Sequence, residues 1–335
     1  MTITLSLAEV DALTMRALTA CNTREDNARS VTGSVVASEA DGIHSHGLAR
    51  LPTYCAHARC GKIDGQATPS CERVGPAALV VDVCDGFAHP GIELGFADLV
   101  PLAKQTGVAT MAVTNSYNCG VVGYHVERLA GHGLVALGFV NAPASIAPWG
   151  GAKPVFGTNP IAFAAPRGAG PPLVIDQSSS VVARSEVIVH AQTGEPIPEG
   201  WALDRDGKPT TDASAALDGG SMVPLGGYKG AGLALIVEVM AAAMTGANFA
   251  YQASSFADNE GGSPRTGQIF IALDPGRFAG PGFGARLDEL LARMTAEPGT
   301  RLPGARRLAA RERTARDGVT IRKTLHDKLL SYAEG

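Results

Sequence analysis

The chain has 335 residues, 45% of them hydrophobic and 18% charged, with a formal net charge of −4. That length can bury a large core and favours two domains over one. The acidic balance offers no basic face for nucleic acid. The N-terminus shows no basic start ahead of a long apolar run, and no stretch reaches the roughly 18 apolar residues that span a bilayer. Glu238 interrupts the most apolar stretch, LIVEVMAAAM. The expectation is a cytoplasmic protein with no membrane and no nucleic-acid partner.

In chain order, apolar positions at helical spacing predict a first helix over residues 7–21 (Leu7, Val10, Leu13, Leu18). A second helix over 24–39 opens on Glu25 and Asp26, whose charge suits a helix N-terminus. A third covers Leu51 to Cys60 and stops at Gly61. From residue 78 strands and helices alternate: ALVVDV, then the helix GIELGFADLVPLAKQTG, then the strand VATMAVTN. GYHVERLAGHG reads as a helix, LVALGFVN and PLVIDQ as strands, LALIVEVMAAAMTGA as a buried helix, and GQIFIALD as a further strand. From about Ala285 the chain is helical again, with Leu287, Leu290, Leu291 and Met294 on one face. The middle is therefore α/β. The expected organisation is a helical domain from both ends, residues 1–75 and 285–335, which also dimerises, around an α/β cofactor domain over 76–284. There are no internal repeats.

The six cysteines (21, 55, 60, 71, 84 and 119) contain no CxxC pair and read as free thiols. The stretch ADGIHSHGLARLPTY (40–54) is richer, with His44, Ser45 and His46 between two glycines and Arg50 three residues after the second. Three chemistries fit it. Two histidines at i, i+2 could share a metal, but no third ligand sits nearby, so no metal is expected. Ser45 could be a nucleophile, yet GIHSHG misses the G-x-S-x-G spacing of a hydrolase elbow. If the chain turns helical after Ser45, His46 and Arg50 share a face. A guanidinium grips a carboxylate through two parallel hydrogen bonds, and a histidine one turn away can move a proton at the adjacent atom. A small 2-oxo, 2-imino or 2-hydroxy acid suits that pair. The alternative is that Arg50 is a surface residue and His46 a satisfied, partly buried one.

No G-x-G-x-x-G fingerprint is present: GGYKGAG (226–232) and GPGFGA (280–285) both miss the spacing. An ordinary Rossmann domain is not supported, and the Walker pattern is absent. Lys229 at the start of a long apolar helix could seat a phosphate, and the basic run RLPGARRLAARER (301–313) a second one.

Together these blocks resemble the type-2 malate/L-lactate dehydrogenase family, which also holds sulfolactate and ureidoglycolate enzymes and the 1-pyrroline-2-carboxylate/1-piperideine-2-carboxylate reductases. The matching blocks are SHGLARLPTY (45–54), FGTNPIAFAAP (156–166), IPEGWALDRDGKPTTD (197–212), PLGGYKGAGLAL (224–235) and RLPGARR (301–307). The resemblance implies a non-Rossmann cofactor domain with a mixed or antiparallel sheet, a helical domain and a homodimer. It implies NADPH (or NADH) as cofactor and a small carboxylic acid as substrate. It makes His46 the proton donor, Ser45 and Glu186 its relay, Arg50 and Thr158 the substrate contacts, and His44 a bystander. A carboxylate beside His46 is expected to raise its pKa and keep it protonated near neutrality. The resemblance also carries cofactor contacts onto Asn118, Cys119, Gly120, Val121 and Val122, and onto Asp176, Gln177 and Ser178. Arg184, Ser185, Tyr228, Lys229, Pro303, Gly304, Ala305, Arg306 and Arg307 complete that set. Relatives with S-x-H-x-G hold a histidine where this chain reads SYNCG, with Asn118. Asparagine exchanges no proton at neutral pH. That loss, together with the acidic Glu186, points to an imino-acid reductase, with a 2-hydroxy-acid dehydrogenase as the second reading and a Ser45 hydrolase as a distant third.

Overall fold

The computed structural model describes residues 1–334. Strand β1 (Thr2–Leu5) leads into α1 (Leu7–Ala20), whose N-terminus is closed by a Ser6–Glu9 capping box. Helices α2 (Glu25–Ala40) and α3 (Leu51–Arg59) follow, joined by a 3₁₀ turn over His44–His46. Next come β2 (Ser70–Gly75), β3 (Ala78–Asp82), α4 (Ala88–Thr106), β4 (Val108–Ser116), α5 (Val122–Gly131) and β5 (Val135–Val140). Two more strands, β6 (Ile161–Ala165) and β7 (Leu173–Gln177), precede α6 (Arg184–Thr193). Short elements come next: β8 (Ala202–Leu203), β9 (Pro209–Thr210), α7 (Ala213–Leu217) and β10 (Ser221–Met222). The chain ends with α8 (Tyr228–Glu238), β11 (Thr266–Leu273), α9 (Pro275–Ala279), α10 (Phe283–Met294), α11 (Ala305–Asp317), β12 (Val319–Arg322) and α12 (Lys323–Ala333).

Seven strands form one sheet in the order β2-β3-β4-β11-β5-β6-β7. Only β3 and β4 run parallel, because α4 carries the chain between them; every other pair is antiparallel. The order has no Rossmann crossover pattern. α4 and α5 cover one face over a core that includes Val81, Ile92, Leu99, Met111, Val126 and Phe270. On the other face Val237 and Ala241 pack on Phe139 and Ile269. α8 runs directly into a π-helical turn over Val239–Ala243, a distortion frequent at functional sites.

The two chain ends meet as β1 paired antiparallel with β12, from Thr2↔Arg322 to Leu5↔Val319. Their helices share a second core running from Leu5 and Val10 through Leu51 and Tyr54 to Leu329. That core also takes in Phe87 and Tyr117, so it abuts the sheet's loops. α10 rests on the β6–β7 turn, where Asp288 accepts hydrogen bonds from Arg167 Nε (2.8 Å) and Ala169 N (2.9 Å). A third, small core of Ile146, Val187, Ile197, Ala202 and Met222 holds α6, α7 and the β8–β10 sheet as a lobe beside α8. Among the described residues, no helix is long and apolar enough to cross a membrane. All six cysteines are free thiols, as expected from their spacing.

Candidate active site

The 40–54 stretch sits where α2 gives way to α3. Gly42 adopts φ 73°, a left-handed conformation that glycine takes at no steric cost, and the chain turns away from α2. The 3₁₀ turn then lifts Ser45 and His46 above the helical core, and α3 begins one turn later with Arg50 as its N-cap residue. Ser45 Oγ lies 3.1 Å from His46 Nδ1. His46 is half-buried, and burial together with the charge of Arg50 pushes its pKa down to about 4. The two residues expected to share a face are therefore electrostatically coupled, and in the free protein the imidazole is neutral at pH 7.

Arg50 makes no ion pair among the described residues, and its Nε is buried with no hydrogen-bond partner. Its guanidinium carbon lies 5.6 Å from the centroid of Phe256 and 6.0 Å from that of Tyr54. Tyr117 closes this aromatic box, with its ring 5.0 Å from Phe256 and 6.0 Å from Tyr54. Tyr54 donates to Asn118 Oδ1 (3.1 Å), which also accepts from Gly120 N (2.7 Å). Tyr117 OH lies 2.7 Å from His57 Nδ1. Burial raises the Tyr54 phenol to about 12 and raises Tyr117 as well, so both stay neutral hydroxyls. The loop carrying Phe256 is pinned by Lys62, a fully buried lysine that donates to the carbonyls of Asp258 (2.9 Å) and Glu260 (2.6 Å). Sequence reasoning missed Tyr54, Tyr117, Phe256 and Lys62. Only Tyr54 carries a local signal, one turn after Arg50.

Other expected residues fall into place unevenly. Thr158 is half-buried; its carbonyl accepts from Ser179 N (2.7 Å), one residue after Ser178. Asp176 is the penultimate residue of β7 and accepts from Gly123 N (2.7 Å), which caps the N-terminus of α5. It keeps contact with solvent, yet the protein mass around it raises its pKa to about 6. Gln177 beside it is exposed. In the 118–122 loop the Cys119 and Val122 side chains are buried, so these residues present backbone toward any ligand, whereas Gly120 and Val121 are half-buried. Tyr228 and Lys229 are exposed at the start of α8, and Pro303, Ala305 and Arg306 are exposed around half-buried Gly304 at the start of α11.

Two of the expected residues are not brought to the Ser45–Arg50 turn as free groups. Glu186 lies in the first turn of α6 with Arg184 and Ser185, but it is exposed and bonds to neither Ser45 nor His46. Val187 is drawn into the small lobe's core, which turns Glu186 outward. In this structure His46 pairs with Ser45 alone, with no carboxylate to raise the imidazole. Arg307 is the second. Its guanidinium donates to Asp41 Oδ2 (2.9 Å) and Glu127 Oε2 (2.5 Å), and Arg311 binds the same two carboxylates. Arg307 is therefore committed to joining α11, α2 and α5. Arg306 and Lys229 have no ion pair among the described residues.

The sequence profile of the malate/L-lactate dehydrogenases matches residues 5–330. A (2R)-3-sulfolactate dehydrogenase (NADP(+)) of Chromohalobacter salexigens is 45% identical over 98% of this chain and 98% of its own. A Δ1-pyrroline-2-carboxylate/Δ1-piperideine-2-carboxylate reductase of Pseudomonas aeruginosa is 41% identical over 99% of this chain and 100% of its own. The crystal structure of Δ1-piperideine-2-carboxylate reductase from Pseudomonas syringae pv. tomato superposes with a TM-score of 0.94 at 37% identity, covering 98% of this chain and 99% of that one. With its non-Rossmann sheet, its Ser45–His46–Arg50 turn and these matches along almost its whole length, the chain belongs to the malate/L-lactate dehydrogenase family.

Proposed function

We propose that the chain is a cytoplasmic, NADPH-dependent reductase of small cyclic 2-imino acids, of the 1-pyrroline-2-carboxylate or 1-piperideine-2-carboxylate class. The observation that carries this reading is Arg50, a guanidinium with an unpartnered buried Nε and no counter-ion, walled by three aromatic rings beside His46. Such a site takes one carboxylate and an apolar ring together. Free thiols fit a reducing compartment.

The cofactor's chemistry is hydride transfer to the carbon next to the clamped carboxylate. The chain's donor set fits it. α8 and α11 both start at a glycine N-cap with no side-chain cap, and each has an unpaired cation, Lys229 or Arg306, in its first turn. Free amides beside a cation suit phosphate groups. Asp176, an acceptor at the start of α5, suits a hydroxyl instead. Arg184 is half-buried without a carboxylate partner and opens α6, shortly after Ser178 in the chain. The remaining contacts carried by resemblance, Ser185 and the 118–122 backbone, belong to this set.

For the substrate, Arg50 holds the carboxylate, and Thr158 supplies a second contact. Burial is the larger cause of the depressed His46 pKa and the charge of Arg50 the smaller; a negative charge bound on Arg50 offsets that smaller part and adds an attraction for the imidazolium. The imidazole then takes up a proton as substrate binds and passes it to the reduced substrate's nitrogen, with Ser45 steadying Nδ1. Proton uptake and carboxylate binding are thus one linked event.

The 45% identical sulfolactate enzyme favours a second reading, a 2-hydroxy-acid dehydrogenase. A dianion would call for a second free cation near Arg50. Lys62, which like Arg50 acts on His57, is committed to carbonyls, which supports a monoanion. The test is NADPH oxidation followed with 1-pyrroline-2-carboxylate, 1-piperideine-2-carboxylate, pyruvate, oxaloacetate and 3-sulfopyruvate. Turnover confined to the two imines supports the proposal, and turnover confined to the 2-oxo acids overturns it.

A homodimer belongs to this reading. Its support is an exposed apolar stripe on α8 and the turn beyond it, where Leu235, Ile236, Val239 and Met244 are each 46–60% exposed. Sedimentation should give a dimer that Ile236→Glu dissociates; a monomeric parent protein would remove it.

A further inference from the structure

Glu39 is the penultimate residue of α2 and is 1% exposed, an unusual place for a carboxylate. Its two oxygens reach opposite ends of the turn that carries Ser45 and His46. Oε2 accepts from His44 Nδ1 at 2.5 Å, and Oε1 accepts from the backbone N–H of Leu48 at 2.6 Å. The backbone between these points adds only short-range bonds, His46 N to Ile43 O (3.0 Å) and Gly47 N to His44 O (3.1 Å). Gly47 is shaped around the same carboxylate. A Cβ there would lie 2.1 Å from Oε1 and 2.5 Å from the carboxyl carbon, so no other residue fits beneath it. His44 is 61% exposed at its side chain, so it needs no partner for its own solvation.

We propose that Glu39 and His44 are positioning residues, a clamp that fixes the Ser45–His46 turn for proton transfer. This rests on the reading of His46 as the proton carrier. Charge-assisted bonds at both ends hold a three-residue turn that has no side-chain cap of its own. Loosening that turn moves the imidazole relative to the carboxylate on Arg50, and displacements near 1 Å cost about 100-fold in rate. The clamp touches neither ligand, so its loss acts on kcat and leaves cofactor binding alone.

The test uses the full-length protein, with kcat and KM for the imino acid and the NADPH Kd from fluorescence titration. Glu39→Ala should lower kcat by about 10-fold or more with NADPH Kd within about 2-fold of the parent value. Glu39→Gln keeps an acceptor for Leu48 and a hydrogen-bonding amide for His44, and should restore kcat to within about 3-fold. His44→Ala, on the solvent side, should fall between them. Each loss should vanish in the His46→Ala background, because the clamp acts only through that ring. Parent-like kcat in His44→Ala, or a Glu39→Ala loss that multiplies onto that of His46→Ala, would overturn the clamp. If Glu39→Ala binds no NADPH, His44→Ala decides alone: a kcat loss absent from the His46→Ala background supports the clamp, and full kcat overturns it. Parent-like activity in His46→Ala itself would instead remove the proton-carrier reading.

Discussion

Arg50 and Arg307 have the same side chain and, on sequence, the same expected task of holding an anion. The fold treats them in opposite ways. Arg307 is 13% exposed at its side chain and meets Asp41 and Glu127, which Arg311 also binds, so four charges balance within the protein. Arg50 meets aromatic rings and no carboxylate among the described residues. A buried cation with internal counter-ions is structural, whereas one left without them is held ready for a ligand. What separates the two is the presence of acidic residues on neighbouring elements, which no window of sequence around either arginine contains.

The comparison can be sharpened by mutation. His46→Ala, which removes the group next to Arg50, should cut kcat by about 10²–10⁴ while NADPH affinity holds. Arg50→Lys keeps the charge but loses the fork, and should cost about 1.5–3 kcal/mol in kcat/KM, roughly 10- to 150-fold. Arg307→Ala should behave in the opposite sense. It should lower stability by about 1–3 kcal/mol in urea unfolding, with the NADPH KM nearly unchanged. A large NADPH effect at parent stability would erase the distinction drawn here.

Acid stability probes the same region. His46 and His125 are both pushed to about 4 by burial, and His89 lies well below its ordinary value. Unfolded, they protonate near 6.5, so stability is full above that pH and falls as pH drops toward 4. The loss is roughly 1.4 kcal/mol for each pH unit over which such a histidine stays neutral in the fold. Asp176, raised to about 6, works in the other direction and offsets part of one histidine's share. Unfolding midpoints that do not fall between pH 7 and pH 4.5 would contradict this burial. The smallest effect belongs to Glu186→Gln, expected within about 2-fold of the parent kcat because its carboxylate faces solvent. A much larger loss would show that α6 closes onto His46 during turnover.

Long periodic segments are legible in the amino-acid sequence itself. The α1, α2 and α4 helices and the β3, β4, β5 and β11 strands follow from 3.6- and 2-residue patterns. β1 and β12 are not legible in this way, because TITL and VTIR are four residues each and acquire meaning only by pairing across the length of the chain. The apolar run predicts that α8 starts at Leu233, yet it begins at Tyr228. Within that added turn Gly230 is a close-contact position where a Cβ would meet Leu225 O at 2.1 Å. Of the site, Ser45, His46 and Arg50 are legible because they fall within one short stretch. Phe256 lies far along the chain, and only the tertiary fold, with Lys62 pinning its loop, brings it to the arginine. The direction of the His46 shift differs from the sequence expectation for the same reason: the nearest charge is Arg50, not a carboxylate.

The central claim is that Arg50 waits for a carboxylate whose arrival gives His46 its proton. The direct measurement is the titration of His46 by NMR, with its resonance assigned by comparison with His46→Gln. It would be run on the free protein and on the protein saturated with a planar ring carboxylate such as pyrrole-2-carboxylate. The expected result is a pKa of about 4 when free that rises on binding, and that starts higher in Arg50→Met before any ligand is added. A His46 titration that ligand and Arg50→Met both leave unmoved would contradict the account.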